Sequence, residues 1–144
     1  MANEEKLIDV LIVTPNGVQY EHEGQIAVLE AVDGQIGIMA GHEPLVTPLS
    51  IGEVHVKRDH EHQQKIDKIA VNGGYVEFSN DVATIVADSA ERARDIDIKR
   101  AESAKERAER HLVEAKQTKD SSSQARAEVA LRRAINRINV YGQN

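Results

Sequence analysis

A chain of 144 residues is long enough to bury one ordinary core or two small ones, and its 24 acidic and 18 basic side chains give a formal net charge of −6. It holds no cysteine, which removes disulfides and thiolate chemistry, and no apolar run approaches the roughly 20 residues of a membrane-spanning helix. The acidic, polar start MANEEK resembles neither a secretory signal nor a basic transit peptide, so the chain is expected to be the mature protein of a bacterial-type cytoplasm.

From the N-terminus the sequence reads as strands. LIDVLIV from Leu7, QIAVLEA from Gln25, GQIGIM from Gly34, GEVHVK from Gly52, KIAVN from Lys68, GYVEF from Gly74 and DVATIVA from Asp81 are short and rich in Val and Ile, several with two-residue alternation. Pro15-Asn16-Gly17, Asp33-Gly34, Asn72-Gly73-Gly74 and Ser79-Asn80-Asp81 supply turn chemistry between them. Many short strands with no helix between them predict an antiparallel β-sandwich or flattened barrel, and not a parallel sheet.

Composition and charge change together near Ala87–Asp88. Residues 1–87 hold 14 of the acidic and only 5 of the basic residues, a local charge of −9, while the remainder carries +3; eight of nine glycines and all three prolines also precede the break. This divides the chain into a β domain, 1–87, and a helical domain, 88–144.

The second part reads as two helices, from about Ile96 to Lys119 and, after the polar break DSSSQ, from about Ala125 to Val140. Ala101, Ala104, Ala108, Leu112 and Ala115 recur at steps of three and four, as do Ala127, Leu131, Ala134, Ile138 and Tyr141. A short connection between two such stripes predicts an antiparallel hairpin. Glu106 with Arg110 and Glu128 with Arg132 lie four apart, an arrangement that supports a helix by about 0.2–0.5 kcal/mol per pair.

Arg126, Arg133 and Arg137 fall in a narrow sector beside the second stripe, and Arg100, Arg107 and His111 flank the first in the same way. Two readings fit: a solvated charged face, or a site for an anion, whose oxygens guanidinium groups bind in bidentate fashion. Nucleic acid is a poor match, because the chain is acidic overall and interleaves few aromatics with its arginines. His55, His60 and His62 suggest a metal only weakly, since no further ligand stands at fixed spacing, and they are read as part of a polar hairpin connection. No Walker-type glycine loop and no nucleophile elbow is present.

Three stretches carry a family resemblance: DGQIGIMAGHEPLVTPLSIG from Asp33, NGGYVEF from Asn72 and IDIKRAESAKERAERHL from Ile96. In this order, over essentially the whole chain, they resemble the ε subunit of bacterial F-type ATP synthases. The resemblance implies a non-catalytic regulatory subunit with a β-sandwich and a C-terminal helical hairpin, peripheral on the cytoplasmic face of the cell membrane. Implied partners are the γ subunit, the c-ring and the catalytic α and β subunits, with membrane contact only through the complex. ATP is implied as a regulatory ligand, with no required cofactor and no metal. The family's nucleotide signature maps onto Ile96, Asp97, Arg100 and Ala101, an acidic position before it onto Glu91, and its phosphate-facing basic positions onto Arg107, Arg126, Arg133 and Arg137. His42, in AGHEP, is read as structural. The reading kept beside this one is a stand-alone β-sandwich adaptor with a helical interaction tail; a metal-dependent enzyme using the histidines is a third.

The alanine stripes give the hairpin a physical rationale. Burying one methylene-sized group contributes about 0.8 kcal/mol, so a seam of alanines holds two helices together weakly. A ligand at 100 times its dissociation constant contributes about 2.7 kcal/mol to whichever state binds it. The two magnitudes are comparable, so ATP is expected to decide between a folded hairpin and one extended along γ that blocks hydrolysis.

Overall fold

The computed structural model describes residues 6–58 and 65–142. Eight strands, β1 (Ile8–Thr14), β2 (Gly17–Gly24), β3 (Ile26–Ala31), β4 (Gly34–Met39), β5 (Leu45–Lys57), β6 (Ile66–Ser79), β7 (Val82–Ala87) and β8 (Ala90–Arg92), precede two helices, α1 (Ile98–Thr118) and α2 (Ser121–Val140). The strands hydrogen-bond in the order β2-β1-β7-β6-β5-β3-β4, with β8 added to β6. Inward residues from all eight, among them Ile12, Tyr20, Leu29, Ile38, Val56, Phe78, Ile85 and Ala90, meet in one buried cluster, so the sheet wraps around a single core. His42 packs edge-on against the buried Phe78, with ring centroids 5.8 Å apart.

Several local expectations change in the structure. β1 pairs with β7 in parallel, a mixed ladder within an otherwise antiparallel sheet. KIAVN and GYVEF are not two strands around a turn but one, β6. The glycine pair bends that strand: Gly73 and Gly74 take φ of +87° and +129°, and a Cβ on Gly74 would run into the carbonyl oxygen of Val86 on β7. The sheet also continues past the composition break at Ala87–Asp88, because β8 pairs with β6 through Ala90, Glu91 and Arg92. His60 and His62, like the first residues of the chain, lie outside the described residues.

After β8 a 3-10 turn over Ala93–Asp95 leads to α1, whose N-cap is Asp97; its carboxylate accepts from the Arg100 N–H at 3.1 Å. The stretch DSSSQ is not a break but a cap and a first turn. Asp120 accepts from the Ser123 N–H at 3.2 Å and its hydroxyl at 2.7 Å, and α2 starts at Ser121. Lys119, left-handed at φ 56°, turns the chain, so the two helices are joined by two residues. Ala101, Ala108 and Ala115 of α1 and Ala127 and Ala134 of α2 are buried. Neither expected i, i+4 ion pair closes; Lys105 and Glu109 pair instead at 3.7 Å, as exposed long side chains are free to do.

Asp97 therefore has a structural duty whatever else it does. Asp97→Ala should cost about 0.5–2 kcal/mol of helix stability, while Asp97→Asn, an equally good cap, should cost almost nothing. Thermal melts followed by circular dichroism check this, and equal loss in both variants would contradict it.

Candidate functional site

The site expected from the sequence divides along the hairpin. Arg137 and Glu91 meet directly: Arg137 Nε donates to Glu91 Oε1 at 3.0 Å, joining α2 to β8. Arg133, one turn earlier on α2, is half-buried, and its buried Nε has no hydrogen-bond partner. Leaving a buried donor unpaired costs free energy that an acceptor would restore. Arg126 stands apart, eleven residues from Arg137 and so roughly 16 Å along the helix axis. It reaches Ser122 Oγ at 3.4 Å and lines a groove of about 560 Å³ at the far end of the hairpin, with His111, Glu114 and Thr118.

On α1, Arg100 and Arg107 are exposed and two turns apart, while Ile96 and Ala101 are buried. Ile96 packs with Ala70, Ala93 and Val140 in a small apolar cluster that fixes the root of the hairpin to the sheet. The side chains of Ile96 and Ala101 are thus turned away from solvent, 5 % and 2 % exposed. The structure thus gathers Glu91, Arg133 and Arg137 near the sandwich, and leaves Arg126 about two turns beyond Arg133.

Two further polar features have no motif in the sequence. Asn136, 7 % exposed, faces the sheet from α2 and donates from Nδ2 to the carbonyl oxygen of Gly52 at 3.0 Å. The second is an ionic cluster around the buried Asp67. Asp67, on β6, accepts from Tyr20 Oη at 2.6 Å and Arg58 Nε at 2.7 Å, and Arg92 of β8 approaches its other oxygen at 3.8 Å. Burial alone would push the Asp67 carboxyl up, but those hydrogen bonds and the charges of Arg58 and Arg92 outweigh it and hold it below its ordinary value. Burial, and the Asp67 carboxylate it bonds, push the Tyr20 phenol far above its ordinary value. His22, edge-on to Tyr20 at 4.9 Å, is held below its usual value by burial and then by Arg58 and Arg92. His55 bonds Glu53 at 2.8 Å.

The outer face of the sheet carries an apolar row that crosses five strands. Pro48 pairs with Tyr75, Tyr75 with Val86, Val86 with Val13 and Val13 with Val18. Opposed residues share a face. Val18 and Tyr75 are 58 % and 45 % exposed, and Val46, two residues before Pro48 on the same face, is 71 % exposed.

The β-sandwich hands over, through a short turn, to a long helical hairpin. Residues 7–93 match the family described as ATP synthase, Delta/Epsilon chain, beta-sandwich domain, and residues 94–142 match its long alpha-helix domain. The ATP synthase epsilon chain of Lactobacillus johnsonii is 58 % identical over 146 aligned positions, covering 99 % of this chain and 100 % of that one. That of Lactobacillus helveticus is 60 % identical, covering 98 % and 97 %. A chain of the Euglena gracilis mitochondrial ATP synthase, solved by cryo-electron microscopy, shares the fold with a TM-score of 0.71 at 20 % identity, over 92 % of this chain and 81 % of its own. The chain belongs to the ATP synthase epsilon chain family. Among the described residues, no helix is long and apolar enough to cross a membrane.

Proposed function

We propose that the chain is the regulatory subunit of the central stalk of a bacterial F-type ATP synthase, and that ATP acts on its hairpin as a ligand and not as a substrate. The observation that carries the ligand reading is the state of the arginines at the sandwich end of α2. Arg133 holds a buried, unpartnered donor, and Arg137 is satisfied by Glu91 through its Nε alone. A phosphate brought there restores the missing hydrogen bond of the first and competes for the second, at roughly 1.5–3 kcal/mol for each charge-assisted bond. Exposed Arg100 and Arg107 on α1 add positive charge from the facing helix.

The sandwich does mechanical work. Its row of Pro48, Tyr75, Val86, Val13 and Val18 suits a docking surface for γ, since an exposed apolar row on a sheet otherwise rimmed by charge is an interaction feature. The c-ring completes the rotor contact, and the membrane is met only through the complex, on its cytoplasmic face. With little ATP the hairpin leaves the sandwich, extends along γ and brings its basic face to the catalytic α and β subunits, where it blocks hydrolysis. Titration calorimetry of the full chain tests the ligand reading: saturable one-to-one ATP binding supports it, and no heat at millimolar ATP overturns it.

A further inference from the structure

The folded hairpin touches the sandwich through a polar contact in which no charged group takes part. Besides Gly52 O, the Asn136 amide lies within reach of Val71 O at 3.3 Å and Asn72 Oδ1 at 3.4 Å. Gly52 and Val71 stand opposite each other on β5 and β6, so one amide group bridges the ladder between those two strands. Asn72 is itself buried and donates to Ser89 Oγ at 2.9 Å, which fixes the third acceptor. Three oxygens converge on a single NH2 group, and the chemistry of the place asks for a donor. The neighbouring Arg137–Glu91 pair is different in kind, since both side chains remain a quarter or more exposed and water screens them.

We propose that Asn136 is the positioning residue of the hairpin, a neutral latch whose hydrogen bonds to the β5–β6 ladder set how often the hairpin lies on the sandwich before any ligand arrives. Removing the donor gives up the hydrogen bonds to Gly52 O, Val71 O and Asn72 Oδ1, the last two of them buried, which shifts the docked-to-open ratio by about tenfold or more. One consequence rests on the ATP reading above. Glu91 comes from the sheet and Arg133 and Arg137 from α2, so their site exists only while the hairpin is down, and the observed ATP affinity scales with the docked fraction. Asn136 then tunes the nucleotide response without touching nucleotide.

Because the chain has no cysteine, two can be introduced for spin labels, at exposed Asp33 on the sandwich and exposed Gln117 near the hairpin tip. Pulsed distance measurements on the full chain without ATP should give one narrow distribution for the native residue at 136. Asn136→Asp keeps the shape and removes the donors, so at pH 8 it should broaden the distribution and lower the docked fraction at least tenfold. At pH 5, protonation of the new carboxyl returns one O–H donor and should restore much of the narrow peak, while the native protein is read at both pH values as control. Asn136→Leu keeps the volume with neither donor nor charge, and should stay open at both. Native-like distributions for both variants at pH 8 would overturn the latch, as would loss of docking in Asn136→Asp that pH 5 does not reverse while Asn136→Leu docks normally. Helical circular dichroism and the sandwich melting transition should not move. A native protein that ignores ATP while both variants open would sink the nucleotide reading and leave the latch standing.

Discussion

Asp67→Ala is expected to lower the melting temperature of the sandwich by more than 10 °C. Asp67 is 6 % exposed and its carboxylate is the common partner of Tyr20, Arg58 and Arg92, so its removal strands two guanidinium groups and a phenol. Breaking a buried pair from one side costs about 3–5 kcal/mol, nearer the lower figure here because Arg58 still reaches water. For a domain of this size each kcal/mol is worth roughly 4–8 °C. Arg92 is the last residue of β8 and Glu91 precedes it, so the damage reaches the root of the hairpin and the partner of Arg137.

The same cluster sets the acid limit of the fold. The folded Asp67 titrates below its ordinary 3.8, so its contribution is complete above that value and is lost as the pH falls through the folded one. His22 also titrates lower when folded than its ordinary 6.5, so below that pH the unfolded chain takes up a proton that the folded chain refuses, and stability falls. Melting temperatures should therefore decline in two steps on acidification, the first beginning near pH 6.5. His22→Gln should abolish that first step alone. A flat profile between pH 7 and 5 would contradict the assignment.

Arg133→Ala should leave the free hairpin intact and weaken ATP binding by about ten- to more than a hundredfold. In the free chain the substitution removes a buried donor without a partner and relieves the like-charge spacing with Arg137, so helicity should hold or rise slightly. With ATP it deletes a phosphate contact of roughly 1.5–3 kcal/mol. Arg126→Ala serves as the comparison, because the roughly 16 Å along α2 that separate Arg126 from Arg137 place it at the far groove. If the two substitutions cost equal affinity by equilibrium dialysis, the bound anion lies along the whole row and not at the sandwich end.

Much of this was legible in the sequence, and the exceptions have physical reasons. Runs such as IDVLIVT and VATIVA alternate clearly because one face is core. β2 has no clear strand pattern because it is an edge strand: only Tyr20 and Gly24 of GVQYEHEG are buried, and its Glu21 and Glu23 read as loop residues. Gly73-Gly74 reads as a turn because the crowding against Val86 that demands glycine comes from β7, across the sheet. Helical period gives the angle around an axis but not the height along it, so the row of arginines does not show how far along α2 Arg126 stands from Arg137. Two polar residues did leave a trace. Asp67 sits in the inward register with Ile69 and Val71, and Asn136 lies off the alanine stripe on the side that meets the sheet.

The most direct test of an ATP-governed inhibitory hairpin is the hydrolysis rate of the catalytic complex reconstituted with either the full chain or a fragment ending at Asp95, which keeps β8 and the Arg92 contact. At each ATP concentration the full-chain rate is divided by the fragment rate, which removes the role of ATP as the substrate of the complex. The expected ratio is well below one at low ATP and rises toward one as ATP fills the hairpin site. A ratio of one at every concentration, or a depressed ratio that ATP does not change, would contradict it.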